Sequence, residues 1–236
     1  MTYIFLVAGK GTRLHPLTLN YPKTLYKLNE NETVIQRMVK LIKKHDPKAE
    51  IVVVTGFQHE IIEKSVDGVI FINNPFYAVT NSIASLWFAR EYLNRDNVTV
   101  INGDIVMSEE LVRDVLCKKT DKTLVLYDSS IKKNGDYNVS VSDDHVIVMS
   151  KELDEYEGEY AGVTKFDAKT ARDFIKVISE MVDTNQFDQW YENALVQMIF
   201  RDSFKLGYLD ICDYQWTEID AVNDLLLAKR ISKETK

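Results

Sequence analysis

The sequence predicts an α/β fold: a Rossmann-like, doubly wound and mostly parallel sheet, with a small added β-hairpin and helical part. Three observations predict it. Short β-branched runs, apolar on both faces, recur at residues 4–8, 51–55, 69–72 and 98–102, as strands buried on both sides do. Helical periodicities lie between them, and such alternation builds a parallel sheet. The first run stops at Gly9-Lys10-Gly11-Thr12-Arg13, a turn at the sheet edge where these folds take their ligands.

The elements follow in order. Thr33-Val-Ile-Gln36 reads as a capping box, and Val34, Met38, Leu41 and Ile42 then recur on one helical face. Thr80-Asn81-Ser82 opens a second amphipathic helix over residues 80–93. Residues 139–141 and 146–148 alternate around Asp143-Asp144 as a hairpin, and 160–166 reads as a further strand. Residues 168–182 and 189–200 have helical spacing, and 222–231 gives the last helix.

A chain of 236 residues that is 45% hydrophobic suits one domain, residues 1–236. With 29 basic against 36 acidic residues, the net charge of −7 speaks against nucleic acid and against an anionic membrane surface. Cys117 and Cys212 stand far apart and have no metal-ligand spacing. No basic leader precedes the first strand, and no apolar run reaches the roughly 20 residues of a membrane span. The expectation is a cytoplasmic protein with no membrane partner, with a homo-oligomer left open.

The informative stretch is residues 6–28, LVAGKGTRLHPLTLNYPKTLYKL. Its first acidic successor is Glu30, so Lys10, Arg13, Lys23 and Lys27 have no countercharge nearby in sequence. Glycines let backbone N–H groups approach phosphate oxygens while cations neutralise them, so Leu6, Ala8, Gly9, Lys10, Gly11 and Thr12 read as a polyphosphate loop. The spacing is not that of a Walker loop, because Lys10 lies between the glycines. Asn102-Gly103-Asp104 ends another strand at the same edge. Gly103 would then border the nucleotide, and Asp104 could hold Mg²⁺ against a triphosphate, since hard cations take oxygen ligands.

Gly9, Gly11, Thr12, Arg13, Leu14, Pro16, Leu17 and Thr18, followed by Pro22 and Lys23, resemble the signature of nucleotidyltransferases that join an NTP to a phosphorylated metabolite. Val7 stands where that family usually has alanine. The resemblance implies that Arg13 grips the β- and γ-phosphates and that Lys23 bridges the α-phosphate and the incoming phosphate. It also implies a second Mg²⁺ ligand, Asp220 of Glu218-Ile219-Asp220, beside Asp104. The sugar-1-phosphate branch carries a Gln-x-x-Pro-x-Gly segment after its third strand. Here residues 74–86 are NPFYAVTNSIASL instead, which is similar to the bacterial CTP:phosphocholine cytidylyltransferases. On that likeness Asn81 and Ser82 would address the pyrimidine or ribose. Asn81 and Ser82 equally suit a helix cap.

Residues 1–130 would mainly bind the nucleotide, here CTP, and 131–236 the small phosphorylated acceptor. Tyr137, Tyr160, Trp190, Tyr191 and Trp216 gather in that second half, and rings surround quaternary ammonium groups favourably. Asp136, beside Tyr137, would suit an amine with N–H donors. Glu159 and Gly162, in Glu-x-x-Gly, match a family position that contacts the acceptor. The resemblance thus implies a Mg²⁺-dependent cytidylyltransferase acting on phosphocholine or a related amine for a surface polysaccharide. The alternatives are a sugar-1-phosphate nucleotidyltransferase and a non-catalytic nucleotide-binding subunit.

Overall fold

A computed structural model describes residues 1–14, 16, 18–131 and 137–233; Leu17 and Asp136, singled out above, lie outside them. The strands β1 (Thr2–Leu6), β2 (Glu50–Thr55), β3 (Ile70–Asn73) and β4 (Val98–Asn102) form the parallel half of the main sheet, in the order β4-β1-β2-β3. β9 (Gly158–Phe166) runs antiparallel beside β4 and carries the sheet on to β6 (Leu124–Asp128) and β10 (Gly207–Asp210). The hairpin of β7 (Asn138–Ser142) and β8 (His145–Ser150) hangs from β9. β1 is central and apolar on both faces because each face meets a separate core. Ile4 packs with the cluster under α3 (Ser82–Phe88), α6 (Ala168–Asp183) and α7 (Glu192–Asp202), whereas Tyr3 and Phe5 pack with the one under α1 (Val34–His45).

Two short helices, α2 (His59–Glu63) and α5 (Glu109–Leu111), complete the numbering, and the caps explain where the longer helices begin. Thr33 Oγ1 accepts from Gln36 N at 3.4 Å and Gln36 Oε1 from Thr33 N at 2.9 Å, a reciprocal capping box. Asp167 caps α6 by accepting from the Lys169 and Thr170 amides. Residues 80–93 are two helices rather than one. α3 ends at Ala89, which leaves helical geometry at φ −93°, ψ 10°, before α4 (Arg90–Leu93). The helix expected over 189–200 starts later, at Glu192, because Gln189 and Trp190 sit in the turn before it.

Four strands have no counterpart in the sequence reading: β5 (Ile105–Met107), β6, β10 and β11 (Trp216–Glu218). β5 and β11 pair antiparallel, with Glu218 opposite Ile105, and Ile219 N donates to Asp104 O at 3.1 Å. This small ladder, capped by α8 (Val222–Lys233) over Leu14, Val106 and Ile219, brings the C-terminal acids to the end of β4. Elsewhere the buried Lys165 donates to the carbonyls of Val115, Leu116 and Lys118. It satisfies a helix end that would otherwise leave orphan acceptors, and burial pulls its ammonium down to about 8.

Candidate active site

A cavity of about 290 Å³ opens where β1 and β4 end, roofed by the glycine loop on one side and by the start of α7 on the other. Two glycines make the loop possible. Gly11 adopts φ +62°, a region that costs an L-residue strain. At Gly103 a Cβ would fall 2.3 Å from Val7 Cγ1 and 2.6 Å from Leu6 O, so only glycine lets the end of β4 pass β1. Thr18 Oγ1 donates to Gly11 O at 2.6 Å and ties the returning chain to the loop.

The loop's cations and the distant acids meet at one corner. Lys23 Nζ lies 2.6 Å from Asp104 Oδ2 and 2.7 Å from Asp220 Oδ1, and donates to Ile219 O at 3.1 Å. Arg13 Nη2 is 2.9 Å from the same Asp220 oxygen. Burial disfavours the Lys23 charge, but the two carboxylates outweigh it and hold the ammonium above the ordinary lysine range. Burial in turn raises the Asp220 carboxyl, against the pull of Lys23. Asp104, Glu218 and Asp220 each offer an oxygen within 4.8 Å of the others. Three hard oxygen donors, two of which already draw the Lys23 cation, fit a divalent ion such as Mg²⁺.

The opposite wall is built from α3, the strand ends and the turn into α7. Asn81 caps α3, its Oδ1 accepting from Ser82 N at 2.8 Å. Ser82 Oγ accepts from Tyr191 N at 2.9 Å, and Asn81 N donates to Phe187 O at 3.0 Å. The start of α3 is thereby fastened to the turn that carries Trp190. The Trp190 and Tyr137 rings lie 5.4 Å apart, and Tyr137 donates to Asn193 Oδ1 at 2.5 Å. Between these rings and β4 stands Glu192, which lines the cavity yet is only 3% exposed. Burial pushes its carboxyl up to about 8, against its own backbone amide and the Asn102 side chain.

The cavity thus gathers Leu6, Ala8, Gly9, Gly11, Thr12, Arg13, Lys23, Asn81, Ser82, Gly103, Asp104, Tyr137 and Trp190 from the residues expected at a site. Asp220 is not among the lining residues but meets Arg13 and Lys23 at the charged corner, and four others stand off the cavity. Lys10 lies over the Tyr77 ring at 5.8 Å. Tyr191 is fully buried behind the wall, its hydroxyl bonded to those of Tyr160 and Thr164. Gly162, at φ +68°, makes room for Ile105, and Glu159 sits in the β9 ladder opposite Asn138 and Asp128. Tyr191 and Gly162 are thus held by packing, whereas Lys10 is exposed at the rim, over a ring that lines the cavity. Trp216 also turns away, donating to Asp128 Oδ2 at 2.8 Å in a core cluster. Glu192, Asn102, Tyr77, Thr80 and Ser85 line the cavity without having been anticipated. A glutamate directly after Trp190-Tyr191 was the one available signal.

A family model described as nucleotidyl transferase matches residues 2–151. The CTP:phosphoglutamine cytidylyltransferase of Campylobacter jejuni subsp. jejuni serotype O:2 is 24% identical, covering 95% of this chain and 98% of that protein. The choline-phosphate cytidylyltransferase of Streptococcus pneumoniae is 28% identical, covering 99% of each. The solved structure of CTP:phosphocholine cytidylyltransferase from Streptococcus pneumoniae superimposes with a TM-score of 0.77 at 23% identity, over 98% of each chain, and shares the fold. With the match running through the glycine loop and on past Asp104, the chain belongs to the nucleotidyl transferase family.

Proposed function

We propose that this protein is a cytidylyltransferase that joins CTP to a small phosphorylated amine, phosphocholine or a near relative, and releases pyrophosphate. The observation that carries the reading is one cavity with two unlike walls: a glycine loop with Arg13, Lys23 and three carboxylates, facing Tyr137, Trp190 and Glu192. The names of the full-length relatives support it, since both describe cytidylyl transfer to a phosphorylated acceptor. The nucleotide occupies mainly residues 1–130 and the acceptor mainly 131–236.

The acceptor's phosphate oxygen is already anionic, so attack on the α-phosphorus of CTP needs no general base. Charge repulsion and alignment set the barrier, and fixed cations lower it. Arg13 holds the β- and γ-phosphates that leave as pyrophosphate, and Lys23 spans the α-phosphate and the incoming oxygen. Asp104, Glu218 and Asp220 would hold Mg²⁺, which supplies charge neutralisation to the triphosphate when bound. Asn81 and Ser82 face the base or ribose from the start of α3.

The test is pyrophosphate release with each NTP against phosphocholine, phosphoethanolamine, 2-aminoethylphosphonate and hexose 1-phosphates. CTP with a phosphorylated amine is expected to exceed any NTP with glucose 1-phosphate by at least roughly a hundredfold, the scale reached when a site's pairing groups go unmet. A hexose 1-phosphate as best acceptor would overturn the reading.

A further inference from the structure

Glu192 carries more than a wall position. It is a carboxyl group nine-tenths buried and more, yet it faces the cavity, and its neighbours are rings and an amide rather than cations. The titratable groups its charge acts on are Tyr137, Tyr160 and Tyr191, all pushed upward by burial and therefore neutral. None of the groups acting on its own titration is a cation. The adjoining Trp190 already attracts one: Lys151 Nζ stands over its ring at 5.7 Å. Trp190, Tyr137 and Glu192 therefore form a pocket that draws positive charge, and among the described residues no cation acts on the Glu192 carboxyl.

We propose that Glu192 selects acceptors by charge, serving as counter-ion to a cationic head group and giving up its carboxyl proton to solvent when that head group binds. The inference rests on the aminated acceptor proposed above and adds to it the residue and the proton. The balance is simple. The O–H bond of Glu192 breaks, the proton goes to buffer, and the carboxylate left behind faces the ammonium. A head group without positive charge leaves the acid neutral. The carboxyl, held near 8 by burial, is protonated at pH 7 before binding. An arriving cation favours the ionised form and reverses the effect of desolvation. The position of Glu192 as the first residue of α7 also favours a carboxylate once formed.

Calorimetric titration of the full chain at pH 7, in two buffers of different ionisation enthalpy, counts the protons. The probes are phosphocholine and its uncharged carbon isostere, 3,3-dimethylbutyl phosphate; the ammonium lowers the phosphate pKa of phosphocholine, so each count is corrected for the phosphate titration of that probe measured free in solution. Phosphocholine is expected to release close to one proton more than the isostere, and the difference is expected to vanish above pH 9. Glu192→Gln should abolish the difference and raise the phosphocholine KM by roughly tenfold to a hundredfold, the scale of an unmet buried charge, with a smaller change in the CTP KM. Glu192→Asp should keep the extra proton. Equal proton counts for the two probes in the wild-type chain overturn the Glu192 proposal while leaving the cytidylyltransferase reading standing. If neither probe binds but a hexose 1-phosphate reacts, that reading fails and this one with it.

Discussion

The two walls of the cavity solve their problems in opposite ways. The proposed nucleotide side is a corner of charge: Lys23 contacts Asp104 and Asp220, Arg13 contacts Asp220, and a glycine loop lies beside them. The proposed acceptor side has rings at Tyr137 and Trp190 and an acid, Glu192, kept neutral by burial. A triphosphate brings several negative charges, so its wall must supply fixed positive charge and stay partly wet. On the proposed reading a small amine brings one positive charge, so its wall would gain selectivity by being dry and by withholding a carboxylate until that charge arrives. Preorganised charge speeds the chemistry, and desolvated pairing groups decide which partner is taken.

The comparison breaks most visibly at the charged corner. Asp104→Asn and Asp220→Asn should each lower kcat/KM by roughly a thousandfold, as loss of a group acting on developing charge does. If the two share one ion, the double variant should cost little more than the worse single. Pyrophosphate release measures all three, and effects that multiply, or full activity in excess EDTA, would show two independent roles and no metal.

The second effect is smaller and sharpens the division between walls. Trp190→Ala should raise the acceptor KM by about threefold to thirtyfold, equivalent to the roughly 0.5–2 kcal/mol of one cation–ring contact. The CTP KM should move less. An equal rise in both would make Trp190 a shared packing residue rather than part of one wall.

The smallest concerns stability and pH. Folded Glu192 keeps its proton up to about 8, whereas its ordinary value is 4.5. Between these values the folded chain binds more protons than the unfolded one, so its stability falls as pH rises. Glu192→Gln has no proton to lose. From pH 7 to 8 the wild-type Tm should drop by about 2–4 °C more than the variant's, the equivalent of roughly 1 kcal/mol in a chain of this size. Parallel melting curves would mean that Glu192 is solvated and ionised throughout.

What the sequence by itself determined lies close together along the chain. The glycine loop, Arg13 and Lys23 fall within one short stretch, and Gly11 and Gly103 carry backbone requirements that a side chain cannot meet. The parallel strands were legible for the same reason, since both-face burial writes an unbroken β-branched run. Tertiary structure decided the rest. Glu218 and Asp220 reach Asp104 only because β11 pairs with β5, and strands of three residues each are too short to show a periodicity. The acceptor wall is likewise assembled from the starts of β7 and α7 and the end of β4. Whether a tyrosine there lines the cavity, as Tyr137 does, or braces it from behind, as Tyr191 does, depends on packing across that distance. The same holds for Glu192: a glutamate is ordinarily a solvated charge, and only the elements folded over it make it a buried neutral acid.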